Sequence, residues 1–287
     1  MTDAFAAPGF DLMRPRDWGG VIVASPHSGR DYPGWLLAES VLDPHALRSS
    51  EDAFVDRLIA PAVAAGAVTL AARVPRCIVD LNRPAEALDP AAIDGIAPAR
   101  PDPRILSGLG VIPRVVAHGR AIRSGKLTAT EARRRIDAYW RPYHAALAAL
   151  MDEAVARTGR AILIDVHSMP HEALAHLPGP APEMVIGDRN GVSADRAVSA
   201  EVARIVADAG FRLRRNSPFA GAFIAAHYGR PAQARHVVQL EIDRALYMDE
   251  ARVRPHPGFD GFAGRFAGVV AQFARLGGTG RTALAAE

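Results

Sequence analysis

The sequence predicts an α/β protein whose 287 residues form three α/β/α layers around a central sheet. Short apolar runs rich in Val, Ile and Leu alternate along the chain with segments of helical period, a pattern typical of a layered α/β domain. Hydrophobic residues make up 49% of the chain, which is enough for one sizeable core. Several of the apolar runs end in polar residues, and ligands bind at the carboxyl ends of strands in open α/β sheets.

The most informative run is residues 161–170 (AILIDVHSMP). Four apolar residues and Asp165 lead into His167 and Ser168 without an intervening Gly or Pro, which is typical of a strand buried on both faces. We therefore expect this strand to deliver Asp165, His167 and Ser168 to a functional site. On its own, the segment also fits a buried histidine followed by a serine that caps a helix.

Two other apolar runs also carry a histidine or a carboxylate. Residues 21–29 (VIVASPHSG) end in His27, and residues 236–242 (HVVQLEI) carry Glu241 inside a strand-like pattern. An ionised glutamate in a buried strand is costly unless it is paired, hydrogen-bonded or bound to a metal. Two histidines at strand ends and one carboxylate on a strand, far apart in sequence, therefore indicate a site that the fold assembles.

Shorter sequence patterns predict the remaining strands and helices. Strands are expected at residues 67–71, 76–81, 184–186, 211–215 and 221–228, and helices after residue 52, from 128 to about 157, from 193 to about 208 and from 259 to 273. Thr128 and Glu131 form a capping-box pattern, and Pro142 is expected to kink the helix that follows. Residues 85–126 are rich in Pro and Gly and indicate a loop excursion within one domain.

We predict one catalytic domain over residues 21–276, with an entry segment at 1–20 and a disordered tail at 277–287. Cys77 is the single cysteine, so no intrachain disulfide can form. The net charge is +3 without a run of like charge, which favours a small anionic substrate over nucleic acid. The chain shows no signal peptide and no apolar run that spans a bilayer, so we expect a cytoplasmic protein without a membrane partner. The sequence does not indicate an oligomeric state.

Seven segments, in order from about residue 21 to residue 250, resemble motifs of the N-formylglutamate amidohydrolase family. They are PHSG at His27, SEDAFVDRL after it, VDLNR at Asn82 and Arg83, the LIDVHSMP strand, GDRNG at Asp188, NSPFAG at Asn216, and VVQLEI with LYMDE beyond. Agreement of several motifs in one order is specific, whereas each motif alone is weak. The resemblance implies a phosphorylase/hydrolase-like fold with a mixed sheet, distantly similar to zinc carboxypeptidases and aspartoacylase.

The resemblance also implies a set of site residues. In that wider group of enzymes, two histidines and one carboxylate hold one zinc ion, an Asn-Arg pair contacts the substrate, and a glutamate transfers protons. Carried over residue by residue, this pattern makes His27 and His167 metal ligands and Asn82 and Arg83 substrate contacts. It makes Glu241 the catalytic carboxylate.

The carboxylate ligand departs from the carboxypeptidase pattern. Those enzymes place it three residues after the first histidine, and this chain has Arg30 there. Asp52 is therefore the expected ligand, with Glu51 as the alternative. Both residues also suit the first turn of a helix, where acidic side chains stabilise the helix dipole, so the sequence leaves this choice open.

The substrate contacts extend beyond the Asn-Arg pair. A substrate with carboxylates needs positive partners, and the planar guanidinium of Arg83 can hold a carboxylate through two bonds. Arg83 is also a candidate for stabilising the oxyanion that forms during amide hydrolysis. Ser168, Asn216 and Arg235 complete the predicted substrate contacts, the last because it flanks the strand that carries Glu241.

These residues predict a zinc-dependent amidohydrolase. It would release formate from N-formyl-L-glutamate, or cleave a close N-acyl amino acid, with metal-bound water as the nucleophile and Glu241 as general base and acid. One alternative is a carboxypeptidase- or aspartoacylase-like deacylase of another N-acyl amino acid or peptide. Another alternative, from a different class, is a non-catalytic protein of the same fold that binds a small anion.

Overall fold

The computed structural model describes residues 9–97 and 102–277, and all structural statements below concern these residues. Their strands are β1 (Phe10–Met13), β2 (Val21–Ser25), β3 (Val68–Ala72), β4 (Ile93–Asp94), β5 (Leu127–Thr128), β6 (Ala161–Met169), β7 (Met184–Gly187), β8 (Leu213–Arg215), β9 (Arg235–Asp243), β10 (Met248–Asp249) and β11 (Arg254–Pro255). Their helices are α1 (Gly34–Glu39), α2 (Pro44–Leu47), α3 (Val55–Ile59), α4 (Pro103–Leu106), α5 (Ala129–Arg135), α6 (Arg141–Thr158), α7 (Arg196–Asp208), α8 (Phe223–Tyr228) and α9 (Phe259–Arg275).

A mixed seven-stranded sheet has the strand order β1-β3-β2-β6-β9-β7-β8. β6 runs parallel to both β2 and β9, whereas β7 is antiparallel to β9 and parallel to β8. Every residue of β2 and β6 is buried, which explains why their sequences are continuous apolar runs rather than alternating patterns. The predicted α/β class with a mixed central sheet is confirmed.

The chain forms two compact units. The first contains the described residues of the ranges 1–11, 26–53 and 71–146, and the second those of 12–25, 54–70 and 147–287. The single catalytic domain expected over residues 21–276 stays a prediction. Most of the predicted tail (278–287) and the start of the entry segment (1–8) lie outside the described residues.

Helices cover the strands of the second unit. α3 and α9 pack against β2, α8 packs against β9, and α7 packs against α9, β8 and β9. The apolar positions predicted for the last helix are all buried, namely Phe259, Phe262, Phe266, Val269, Val270 and Phe273. Among the described residues, no helix combines the length and the apolar composition that crossing a membrane requires.

Two predicted strands are wrong. Residues 76–81 form no strand, because Ile78 N–H donates to the carbonyl of Pro75 in a turn and Asp80 N–H then bonds to Val111. Most of residues 221–228 belong to helix α8 instead of a strand. This segment is a short apolar run, and periodicity alone does not separate a strand from a helix over such a length.

The helix predicted to follow residue 52 begins later than expected. Phe54 has a left-handed φ of 68° and precedes α3, which starts at Val55. A left-handed residue interrupts helical geometry, so Glu51 and Asp52 are not acids of the first helical turn. This removes the helix dipole as an explanation for both buried carboxylates.

The long helical region after residue 128 agrees with its predicted signals. Thr128 accepts a hydrogen bond from Glu131 N–H at 3.1 Å and so caps α5. A π-helical segment, Ile136–Trp140, joins α5 to α6, and Pro142 lies in the first turn of α6. Because proline lacks a backbone N–H, it removes one helical hydrogen bond at this junction. The excursion at 85–126 contains only short elements in its described part, such as β4 and α4.

Candidate metal centre and active site

His27 lies in the turn that directly follows β2, and its side chain is buried. The carbonyl oxygen of His27 accepts a hydrogen bond from Asp52 N–H at 3.0 Å. His27 Nδ1 and Asp52 Oδ2 are 3.6 Å apart. Gly29 permits this turn, since a Cβ atom there would lie 2.0 Å from the carbonyl oxygen of Val74. A tight turn therefore places an imidazole beside a buried carboxylate.

Asp80 fixes the orientation of the His27 ring. Its Oδ1 lies 2.7 Å from His27 Nε2, while Arg76 forms an ion pair with its Oδ2 at 2.9 Å. Burial alone would raise the pKa of Asp80, but Arg76 and His27 together hold it well below its usual range. An ionised carboxylate only accepts, so Nε2 donates to Asp80, and Nδ1 is the ring nitrogen that can face a metal ion.

Replacing Asp80 with asparagine is expected to weaken metal binding at His27 by about 10- to 100-fold, because the ring loses its anionic partner. Competition with a chromophoric chelator measures the affinity. Asp89→Asn is the matched control, since Asp89 is also buried and paired with an arginine, Arg114, at 3.1 Å. Equal affinities of the Asp80→Asn variant and the wild-type protein would remove Asp80 from this role.

His167 has the same kind of support in the second unit. β6 carries it near its carboxyl end, and its Nε2 lies 3.1 Å from Oδ2 of Asp165, two residues earlier on the same face of the strand. Both side chains are buried. A carboxylate behind a histidine orients the ring and raises its basicity as a metal ligand.

His27 and Asp52 of the first unit can hold a metal ion together, and both side chains are buried. His167 offers a second buried imidazole in the second unit. Around a tetrahedral zinc ion with bonds of about 2.1 Å, neighbouring ligand atoms are about 3.4 Å apart. The 3.6 Å between His27 Nδ1 and Asp52 Oδ2 agrees with that spacing. Two imidazoles and one carboxylate are also a donor set that zinc accepts.

Glu51, the alternative carboxylate, is bound elsewhere. Its Oε1 accepts a hydrogen bond from the Tyr32 hydroxyl at 2.7 Å, and the Arg48 guanidinium donates to both of its oxygens. These bonds account for the burial of Glu51 without a metal ion. The geometry therefore favours Asp52 as the carboxylate beside His27.

Glu241 lies beside His167 in the sheet. The two residues are register partners in the parallel pair of β6 and β9, so their side chains leave neighbouring strands on the same face. The Glu241 side chain is buried, and Gln239 Nε2 donates to its Oε1 at 2.9 Å. Asp165 and Gln239 are likewise register partners. Two pairs of polar residues, His167 with Glu241 and Asp165 with Gln239, therefore lie next to each other on one face of β6 and β9.

Arg83 is held rigidly by backbone carbonyls in the first unit. Its Nε donates to Leu109 and its Nη1 to Asn82, both at 3.0 Å. Burial lowers the pKa of the guanidinium, and the charge of Asp80 opposes that shift. Neither of these two bonds uses Nη2.

The long helical region fixes the segment around Asn82 and Arg83. Trp140 Nε1 donates to the carbonyl of Arg83, and His144 Nε2 lies 2.9 Å from the carbonyl oxygen of Leu81. The rings of Trp140 and His144 are in contact, with centroids 4.0 Å apart. The His144 side chain is buried and so supports the predicted substrate-binding segment.

Ser168 and Asn216 both take part in hydrogen bonds within the second unit. Ser168 Oγ accepts from Arg244 Nε at 3.1 Å. Asn216 Oδ1 accepts from the backbone N–H of Asp188, and its Nδ2 donates to Asp188 Oδ1. Asn216 therefore helps to hold the loop at 216–222, and its assignment to the substrate stays a prediction.

Arg235 occupies the first position of β9, and an ion pair of 2.6 Å joins it to Asp152. Glu241 is six residues further along the same strand, which corresponds to about 20 Å in extended geometry. Arg235 therefore lies at the opposite end of β9 from Glu241, and its role as a substrate contact stays a prediction.

Sequence reasoning missed Asp80 and Gln239 as supporting residues. In the sequence, Asp80 is only one member of a polar cluster, because its bond to His27 joins positions 53 residues apart. Gln239 could have been found, since residues two apart on a strand share one face and it precedes the buried Glu241 by two.

Comparisons with known proteins agree with this geometry. A family model described as N-formylglutamate amidohydrolase matches residues 19–248. The N-formylglutamate deformylase of Pseudomonas aeruginosa is 33% identical over 233 residues, which is 80% of this chain and 82% of that protein. The Pseudomonas putida N-formylglutamate deformylase is 28% identical over 235 residues, with the same coverage of each chain.

Solved structures show the same relationship. The crystal structure of N-formylglutamate amidohydrolase from Ralstonia eutropha superposes with a TM-score of 0.89 at 33% identity, covering 97% of this chain and all of that chain. A gene product of Agrobacterium tumefaciens, with a TM-score of 0.63 and 17% identity over 96% of both chains, shares the fold alone. The fold and these relatives define the class as a hydrolase that acts on an amide. Within that class, the chain belongs to the N-formylglutamate amidohydrolase family.

Proposed function

We propose that this protein hydrolyses N-formyl-L-glutamate, or a close N-acyl amino acid, to the carboxylic acid and the amino acid. His27, Asp52 and His167 would hold one zinc ion for this reaction. The observation that carries the proposal is the buried pair of His27 and Asp52, with Nδ1 and Oδ2 3.6 Å apart, in a chain that belongs to the N-formylglutamate amidohydrolase family. The expected substrate is a small anion, and a cytoplasmic location remains our expectation from the sequence.

The metal ion would activate the water and stabilise the oxyanion, and Glu241 would transfer the protons. A bound zinc ion supplies an activated water at neutral pH and positive charge for the developing oxyanion. Glu241 accepts the proton of the attacking water and donates a proton to the nitrogen of the departing amine. Its register position beside His167 supports this role, because it brings the carboxylate and the proposed ligand to one face of neighbouring strands.

The residues around Arg83 would bind the substrate. Asn82 and Arg83 would contact a carboxylate, with Arg83 Nη2 available for a charge-assisted bond and for the oxyanion. The two bonds from Arg83 to backbone carbonyls support this role, because a fixed guanidinium loses little freedom when it binds an anion. Ser168 and Asn216 are the further proposed contacts, whereas Arg235 lies too far along β9 to contact the same small substrate as Glu241.

Replacing Arg83 with lysine is expected to raise KM for N-formyl-L-glutamate by about tenfold or more, because lysine keeps the charge but not the planar fork. Arg104→Lys, at a residue on α4, is the control and should keep the wild-type KM. Steady-state kinetics of formate release measures both variants. An unchanged KM in Arg83→Lys would show that Arg83 does not bind the substrate.

A panel of substrates tests the proposed activity. The zinc-loaded protein is assayed with N-formyl, N-acetyl and peptidyl derivatives of glutamate and aspartate, and release of the acid is measured. We expect N-formyl-L-glutamate to give the highest kcat/KM. Faster cleavage of an N-acetyl or peptidyl substrate would instead identify the deacylase or peptidase alternative. Binding without turnover of every compound would identify the anion-binding protein.

A further inference from the structure

We propose that Gln239 is a positioning residue that holds the Glu241 carboxylate in its working orientation, and that the loop at 216–222 sets the direction of the Gln239 amide. The inference rests on the proposed role of Glu241. Gln239 is buried and follows the same face of β9 as Glu241, two residues earlier. Its Nε2 lies 2.9 Å from Glu241 Oε1.

The backbone of the loop determines which end of the amide faces Glu241. Ala222 N–H donates to the oxygen of the Gln239 side chain at 3.0 Å. A backbone N–H can only donate, so its partner must be Oε1, and Nε2 must then point towards Glu241. The Glu241 carboxylate therefore receives a hydrogen bond from a donor that is itself fixed at its other end.

The loop reaches Gln239 because Gly187 leaves room for it. Gly187 and Gln239 are register partners in the antiparallel pair of β7 and β9. A Cβ atom at Gly187 would lie 2.6 Å from the carbonyl carbon of Ala220 and from the backbone nitrogen of Gly221. Arg189 N–H donates to the Ala220 carbonyl at 2.7 Å, which holds the loop in this place. The segment after β7 therefore holds the loop, the loop holds the Gln239 amide, and this amide holds the Glu241 carboxylate.

The role in positioning predicts a specific kinetic effect. A hydrogen bond to a charged group typically contributes enough to change an equilibrium or a rate about 10- to 100-fold. Gln239→Met removes both hydrogen bonds of the amide without adding charge. The Gln239→Glu variant keeps an acceptor for Ala222 N–H but puts a second carboxylate in the place of the donor to Glu241. We expect its kcat to fall about 10- to 100-fold, while KM for N-formyl-L-glutamate stays within about twofold and the zinc content is unchanged.

The test is a double-mutant cycle with zinc-loaded protein and N-formyl-L-glutamate. Gln239→Glu and Gln239→Met are each made alone and together with Glu241→Gln, and kcat and KM are measured. If Gln239 acts through Glu241, changing it has little further effect on the residual kcat of Glu241→Gln. A general structural role would lower kcat equally in both backgrounds, which overturns the inference.

The outcomes separate this inference from the proposed function. If Glu241→Gln is nearly inactive but both Gln239 variants keep wild-type kcat, the positioning role alone is wrong. If Glu241→Gln keeps its turnover, the proposed role of Glu241 fails, and the positioning role fails with it. If one Gln239 variant does not fold, the other gives the same decision.

Discussion

The Glu241→Gln variant is expected to lose turnover of N-formyl-L-glutamate by about 10²- to 10⁴-fold, the range that general acid–base catalysis contributes. Glutamine has nearly the same shape as glutamate but takes no proton from water and returns none to the leaving amine. Glu241 is not one of the proposed metal ligands, which are His27, Asp52 and His167, so the variant is expected to keep bound zinc. Release of formate and metal content, measured on the same sample, check both parts of this prediction.

The matched control for this variant is Glu201→Gln. Glu201 lies on α7 and pairs with Arg204 at the surface, so its loss should leave turnover unchanged. Wild-type turnover in Glu241→Gln would mean that another group transfers the protons. Loss of both turnover and zinc would mean that Glu241 supports the metal group instead of handling protons.

The His167→Ala variant is expected to lose tightly bound zinc and to fall to background activity. Removing one of three protein ligands leaves two, and catalytic zinc sites typically need three. The buried Asp165 also loses its imidazole partner, so we expect a lower Tm in addition. Metal analysis after dialysis and thermal unfolding are the two measurements.

His236→Ala tests whether this effect is specific. His236 is also buried and lies in the second unit, but at the second residue of β9, five positions before Glu241. Burial lowers the pKa of His236, which fits a neutral core histidine more than a charged one. We expect this control to lower Tm while the zinc content stays at that of the wild-type protein. Equal loss of zinc in both variants would contradict a specific role for His167.

The amino-acid pattern is sufficient to predict the fold class and the strands that carry the candidate site. β2 and the first half of β6 are continuous apolar runs, which is typical of strands buried on both faces, whereas β9 carries polar residues between its apolar ones and is buried after its first residue. A histidine or glutamate in such a run stands out because an unpaired polar group there is costly. This cost is the reason that His27, His167 and Glu241 stand out in the sequence as candidate site residues. The match of the family model confirms the family resemblance.

The supporting residues depend on contacts that a linear sequence does not contain. Asp80 supports His27 across 53 positions, and Ala222 N–H fixes Gln239 from a loop 17 residues earlier. The choice of Asp52 over Glu51 likewise needs the bonds from Tyr32 and Arg48 that occupy Glu51.

The most direct test of the central claim, amide hydrolysis that depends on a metal ion held by His27, Asp52 and His167, is formate release before and after removal of the metal. The protein is treated with a strong chelator, its zinc content is verified, and N-formyl-L-glutamate is added with and without one equivalent of zinc. We predict that activity disappears with the metal and returns with added zinc, but not in His167→Ala. Undiminished formate release by the fully metal-free protein would contradict the account.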